Sequence, residues 1–404
     1  MTRMTRILLL CCAYLVAACA PAAQAPTTAA ASASAAATAT STPHATAAAT
    51  ATPVQSPKLA PGVRRLEVGA RAVASPDGKW LGVTSVSPVG SGPFPFQLFD
   101  VAGNFVRAFD VPTPNWRWLE DSSGIFVALD APQRSSSLGI IDLAGGAPRD
   151  TGLQMSGESL SPDGKWIVAS HEEGCCAAIV RKEIWAAPRL GASTRVLATA
   201  KSSEQQAIAP LGYIKDRLVY RDADVLFGVP IAGGTPQRLG MTAGDWHKTF
   251  IGSTSPDGTV LMVLTVDPAI WSSVAGDRVT AWPSSAGEVV AMTTLDRPAT
   301  TPVWTADHSL LVRSATGALA AVNVTSLEQT PLAGKLDPND IPFAYRGLRL
   351  LLARAGEMIV LDLGSNSARA TGIPVGLKAA GVSGWALPGG GFIVALDSGT
   401  YRID

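Results

Sequence analysis

The hexapeptide SPDGKW occurs at residues 75–80 and again at 161–166, and a relative, SPDGTV, occurs at 255–260. The two full copies are 86 residues apart, twice 43. A chain that spells one turn at a fixed interval is constrained to fold as an array of similar units. The interval predicts a degraded copy midway, and WLEDSSGIFVALD (118–130) has the same apolar–turn–apolar outline. That outline recurs in PLGYIKDRLVYRD (210–222), STSPDGTVLMVLT (253–265), PVWTADHSLLVRS (302–314), FAYRGLRLLLARA (343–355) and GWALPGGGFIVALD (384–397), which makes eight copies.

Each copy reads as strand, tight turn, strand. In S-P-D-G the proline presets φ at the first central position, and the glycine takes the left-handed conformation that the turn needs. A second shared pattern follows in FQLFDVAGNFVRAF (96–109), LGIIDLAGGAPRDT (138–151), VLFGVPIAGGTPQRL (225–239) and EMIVLDLGSNSARAT (357–371): strand, Gly-rich turn, strand. Every unit thus carries four short strands, at the length of a β-propeller blade. The fold class expected is all-β: a propeller of four-stranded antiparallel blades, eight in number, with seven as the alternative because the fourth and seventh units are degenerate. The C-terminal TYRID aligns Asp404 with Asp100, Asp142 and Asp362 at the end of a third strand, so the last blade lacks its outer strand. GVRRLEVG (62–69) is expected to supply it by pairing with residues 400–404, closing the ring and removing two exposed edges.

The SPDGK-type hairpins resemble the WD-like propeller repeats of TolB and its relatives, among them periplasmic propellers, over most of residues 62–404. The resemblance implies the propeller fold. Its motif is structural and implies no catalytic residue. The α/β domain that precedes the propeller in TolB has no counterpart here.

A different composition occupies that place. Residues 20–57 are almost entirely Ala, Thr, Ser and Pro, with no Asp, Glu, Lys or Arg. Such a segment cannot bury enough apolar surface to offset its ordering entropy. Residues 19–60 are read as a disordered tether, open to O-glycosylation, with a root-mean-square reach of about 35 Å. Ahead of it lie Arg3, Arg6 and the apolar run ILLLCCAYLV (7–16), too short to span a bilayer comfortably. The run ends in VAAC (16–19), which resembles the lipobox of bacterial lipoproteins. The resemblance implies that residues 1–18 are a signal peptide and that Cys19 becomes a lipidated mature N-terminus. The organisation expected is signal peptide (1–18), tether (19–60) and propeller (61–404). The expected location is extracytoplasmic, anchored by lipid to the cell membrane, or to the outer membrane where there is one.

The formal net charge is zero and no long Lys/Arg run exists, which argues against a sequence-independent grip on nucleic acid. Candidate chemistry lies in three stretches that read as long second-to-third-strand loops: VSPVGSGPFPF (86–96), HEEGCCAAIVRK (171–182) and DPAIWSSVAGDR (267–278). Phe94, Phe96 and Trp271 are candidate aromatic anchors, the alternative being that they cap the blades. His171, Glu172, Glu173, Cys175 and Cys176 complete the candidate binding face. An exported cysteine pair is normally oxidised, so a vicinal Cys175–Cys176 disulfide is expected, with free thiols as the alternative. Metal binding there is chemically open, but the spacing matches no standard zinc pattern, and no metal or cofactor is expected. Vicinal cysteines also occur in eight-bladed quinoprotein dehydrogenases, whose recurrent tryptophan docking motifs are missing here. The chain carries no G-x-S-x-G and no H-E-x-x-H.

Two functional readings follow. One is a membrane-tethered, noncatalytic scaffold that binds another envelope protein or an extracellular ligand. The other is an extracytoplasmic propeller enzyme acting on a sugar, lactone or peptide. An enzyme should gather carboxylates or metal ligands at the ring axis; a scaffold should present aromatics and mixed charge on one broad face. The anchor itself is directly testable. Cys19→Ser is expected to abolish metabolic palmitate labelling and to release the protein from the membrane fraction; unchanged labelling and fractionation would contradict the lipobox reading.

Overall fold

The computed structural model describes residues 58–69, 71–84, 93–130, 136–175, 178–191, 193–200, 208–241, 250–266, 269–294, 297–376 and 381–404. The unit from Ser56 to Asp404 is an eight-bladed β-propeller. In chain order, blades 1 to 7 occupy residues 73–111, 116–154, 159–199, 209–241, 250–281, 288–335 and 341–374. Blade 8 is composite: Ser383–Ala386, Phe392–Leu396 and Gly399–Ile403 are completed by Val63–Leu66. The closing register is Val63 opposite Ile403 through Leu66 opposite Thr400, antiparallel. The eight hairpins expected from the sequence are the eight inner strand pairs, so the seven-bladed alternative is excluded.

The recurring hexapeptide is a turn held by its own side chains. The Ser75 hydroxyl donates to Asp77 (2.7 Å) and accepts the Trp80 N–H (3.0 Å), while the Asp77 carboxylate accepts the Lys79 N–H (3.1 Å). The same three bonds recur at Ser161–Asp163–Lys165–Trp166 and at Ser255–Asp257–Thr259–Val260. All three serines are buried. Gly78, Gly164 and Gly258 sit at φ of 65°, 69° and 71°, the left-handed conformation the motif was expected to need. In the degenerate second copy Ser122 adopts φ 59° in that place. Its hydroxyl accepts the Asp77 N–H of the neighbouring turn (2.9 Å), linking blades 1 and 2. Repeating Asp at these turns is backbone chemistry.

The core lies between blades rather than within one central mass. One apolar cluster fills each seam: Phe96, Leu98, Ile125 and Val127 between blades 1 and 2, for example, and Phe343, Leu351, Phe392 and Tyr401 between blades 7 and 8. A four-stranded sheet has two apolar faces, and only a ring covers both faces of every blade.

The antiparallel meander puts successive connections at opposite ends of the ring. The S-P-D-G turns and the third-to-fourth-strand turns lie on one face, here the turn face. The second-to-third-strand hairpins and the interblade connections lie on the other, the crossover face.

Blade 6 departs from the repeat. Its innermost strand is split into Glu288–Val289 and Trp304–Ala306, both paired with Ser309–Arg313. Between them a hairpin, Ala291–Thr294 with Arg297–Pro302, leaves the blade. It packs against the innermost strands of blades 5, 7 and 8 on the inner side of the ring.

Closure by residues 63–66 has a measurable consequence. Val63, Leu66 and Val68 are at most 9% exposed, and burying three aliphatic side chains contributes about 5 kcal/mol. The chain is also strapped ahead of this strand, where the Ala60 N–H donates to the Thr371 carbonyl of blade 7 (3.0 Å). A chain beginning at Ala70 is expected to melt roughly 10 °C below one beginning at Ser56. Equal melting temperatures would contradict closure by this strand.

Candidate functional site

Two of the three stretches read as long loops are strands. Trp166–Cys175 pairs with Ala178–Pro188, extending blade 3 beyond the height of its neighbours, and Val260–Val266 pairs with Ala269–Ala275. The charges of the first hairpin explain its residues locally. Glu172 sits opposite Lys182 and pairs with it at 2.8 Å, and Glu173, exposed, sits opposite Arg181. His171 stacks on Trp185, with ring centroids 4.1 Å apart. Cross-strand pairs of this kind stabilise a ladder by a few tenths to about 1 kcal/mol each. Cys175 ends the first strand; Cys176, and with it the expected disulfide, lies outside the described residues.

The aromatic anchors are corrected. Phe94 and Phe96 are buried in the seam between blades 1 and 2, where Phe96 meets the Trp116 ring edge-on at 4.8 Å. Trp271 is buried in the seam between blades 5 and 6. All three point along the pleat into an apolar seam, so they cap blades rather than stand free in loops. Residues 85–92 of the first stretch lie outside the described residues.

Trp271 nevertheless borders a cavity. On the crossover face, over blades 5 to 7, a recess of about 430 Å³ is walled by Leu264, Ile270, Trp271, Trp282, Val289, Val290, Leu336 and Pro342. Its polar groups are Ser284, Glu288, Arg313 and Asp340. The volume is that of a ligand site, and apolar and polar groups share its wall. The connection from blade 5 to blade 6 shapes the floor: the Trp282 indole N–H donates to the Gly287 carbonyl (3.0 Å), fixing the ring. Arg313, from the second strand of blade 6, is bonded by both Nε (3.2 Å) and a terminal nitrogen (2.7 Å) to Glu288 Oε2. Glu288 is 68% exposed, so this bond is worth at most about 1 kcal/mol.

Arg313 and Glu288 also border a second recess of about 300 Å³, which continues past Ser314, Thr316 and Lys335 to Asp337. A third, of about 570 Å³, runs from Asp337 to Arg354 and Gly376. Asp340, at the shared wall, is held fast. Its two oxygens accept Arg354 Nε (2.9 Å) and a terminal Arg354 nitrogen (2.5 Å), and the Asp337 N–H adds a third bond (2.8 Å). The pairing raises the Arg354 pKa, chiefly through the bond to Asp340. The three recesses form one groove.

None of Trp282, Glu288, Arg313 or Asp340 stood out in the sequence. The available signal was length: the sixth repeat begins 49 residues after the fifth, at Pro302 against Ser253, where the period is 43. The longer interval contains the inserted hairpin, whose base, Val290 and Ala291, forms one wall of the first recess.

A second polar cluster lies at the inner strands of blades 2 and 3. Arg117 Nε meets Glu158 Oε1 at 2.6 Å, and its terminal nitrogen lies 3.6 Å from Glu120. Glu120 Oε2 also accepts the Leu160 N–H (2.9 Å). Glu158 is buried, whereas 46% of the Glu120 side chain reaches solvent although protein crowds it on most sides. That crowding raises its carboxyl above the ordinary glutamate range, against the pull of Arg117 and the Leu160 N–H. Both carboxylates are committed to joining two blades. Among the described residues no group of three or more His, Cys, Asp or Glu side chains is gathered for a metal ion.

No family model matches this chain, and no curated protein matches it in sequence. Solved structures do match. A computationally designed protein, Ika8, is 11% identical and covers 84% of this chain and 97% of its own, with a TM-score of 0.51. Oligogalacturonate lyase from Vibrio parahaemolyticus is 11% identical and covers 84% of this chain and 90% of its own, with a TM-score of 0.44. TolB from Acinetobacter baumannii is 12% identical over 74% of this chain and 64% of its own, with a TM-score of 0.35. The likeness is one of fold and says nothing of the chain's chemistry.

Glu120 gives a pH test. A carboxyl whose folded pKa is raised favours the native state while protonated. Its contribution therefore declines as pH rises from the unfolded value of 4.5 through the folded one. Glu120→Gln removes that decline, so the variant is expected to match the parent near pH 4.5 and to melt higher at pH 7.5. A variant that melts lower at pH 7.5 would show that the charged carboxylate is the favoured form.

Proposed function

We propose that this protein is an extracytoplasmic lipoprotein, tethered to the membrane through Cys19, whose propeller is a noncatalytic scaffold binding a ligand or another envelope protein on its crossover face. The observation that carries the reading is the groove over blades 5 to 7. It joins an apolar recess walled by Trp271 and Trp282 to a mixed-charge stretch with Glu288, Arg313, Lys335 and Asp337. Mixed charge beside an aromatic wall on one face is what a recognition surface requires. The ring axis supports the same reading. The hairpin of blade 6 lies against the inner strands of blades 5, 7 and 8, and the carboxylates converging at blades 2 and 3 are taken up by Arg117 and a backbone N–H. The lipid anchor and the low-complexity tether account for a domain held near, but free of, a bilayer surface.

Crosslinking in intact cells followed by recovery of the tagged protein tests this. The parent chain is expected to recover a partner, and Arg313→Glu to lower the yield at least tenfold without lowering the melting temperature by more than a few degrees. Equal recovery by both chains would move the site off the groove, and recovery of nothing above background would contradict the scaffold reading.

A further inference from the structure

The groove has a polarity that narrows its occupant. The recess of about 430 Å³ has an aliphatic and aromatic wall: Leu264, Ile270, Trp271 and Trp282 form one side, and Leu336 and Pro342 the other. A sugar ring would have to share polar partners that are already engaged, since Asp340 accepts three bonds from Arg354 and the Asp337 N–H, and Arg313 is bonded to Glu288. An apolar side chain meets no such difficulty.

At the mouth of this recess, bordering the next one as well, stands Arg313. Its guanidinium, with 24% of the side chain exposed, is bonded to the exposed Glu288. A guanidinium matches a carboxylate bidentately, better than its present grip on a single oxygen of Glu288. Lys335 lines the next recess and adds positive charge to the groove. Glu288, on its long exposed side chain, therefore acts as a displaceable occupant of the Arg313 site.

We propose that this groove captures the free C-terminal carboxylate of a peptide whose last side chain is bulky and apolar. The side chain fills the Trp271–Trp282 recess, the carboxylate replaces Glu288 on Arg313, and the preceding residues lie along the adjoining recesses toward Arg354. This deepens the scaffold reading and rests on it. Capture of a terminal carboxylate is a recurring mode of peptide recognition, because one charged group fixes both the end and the direction of the chain.

The test uses the full chain purified in detergent and follows tryptophan fluorescence on titration with acetyl-Gly-Ala-Ala-Phe as the free acid, as the C-terminal amide, and with a glucuronic-acid disaccharide. The free acid is expected to bind at least tenfold more tightly than the amide, the difference a charge-assisted bidentate pair makes. Arg313→Gln is expected to erase that preference. Glu288→Gln is expected to tighten binding of the free acid severalfold, because it removes a competing carboxylate, whereas a residue that merely supports the fold would weaken it. Equal binding of acid and amide, weakened binding in Glu288→Gln, or binding of the disaccharide alone would each overturn the proposal. If neither peptide binds while crosslinking still recovers a partner through the groove, carboxylate capture fails and the scaffold reading stands.

Discussion

The interaction on which the rest of the structure depends is the packing of one blade's face against the next. No blade has a core of its own; each of the eight seams has one, and residues as distant as Val63 and Ile403 share the last. Stability is therefore a property of the closed ring. The short strand 63–66 matters beyond its length because it completes the blade on which two seams rest. The groove is a product of the same constraint. Once the seams fix the blades, what varies is the connections at their ends, and those over blades 5 to 7 enclose the recesses.

The fold was legible in the sequence because a turn motif is a local statement. Ser75, Asp77 and Gly78 bond one another and their neighbours, so the hexapeptide needs no distant partner to be recognisable, and its spacing supplies the ring. The composite blade was legible for the same reason: strand 400–404 ends where the third strands of other blades end. Long polar stretches misled. HEEGCC resembles an irregular loop in composition, yet its acids face bases across a ladder whose register depends on the far strand. For Phe94, Phe96 and Trp271 the sequence left anchor and cap open, since a strand buried on one side places an aromatic in the seam whatever its neighbours in sequence.

The groove could not be read from sequence because its parts come from three blades. Trp271 and Trp282 flank the outer strand of blade 5, Glu288 and Arg313 belong to two strands of blade 6, and Asp340 precedes blade 7. Nothing in local spacing relates them. The inserted hairpin departs from the repeat, and its base walls the recess while its strands reach blades 7 and 8.

The central claim is that the crossover face over blades 5 to 7 is the working surface of the molecule. Amide hydrogen exchange of the chain alone and of the crosslinked complex measures this most directly. The account predicts slowed exchange concentrated at residues 282–291, 313–317 and 335–342, with the turn face at 75–80, 161–166 and 255–260 unchanged. Protection confined to the turn face, with the groove exchanging as it does in the free protein, would contradict it.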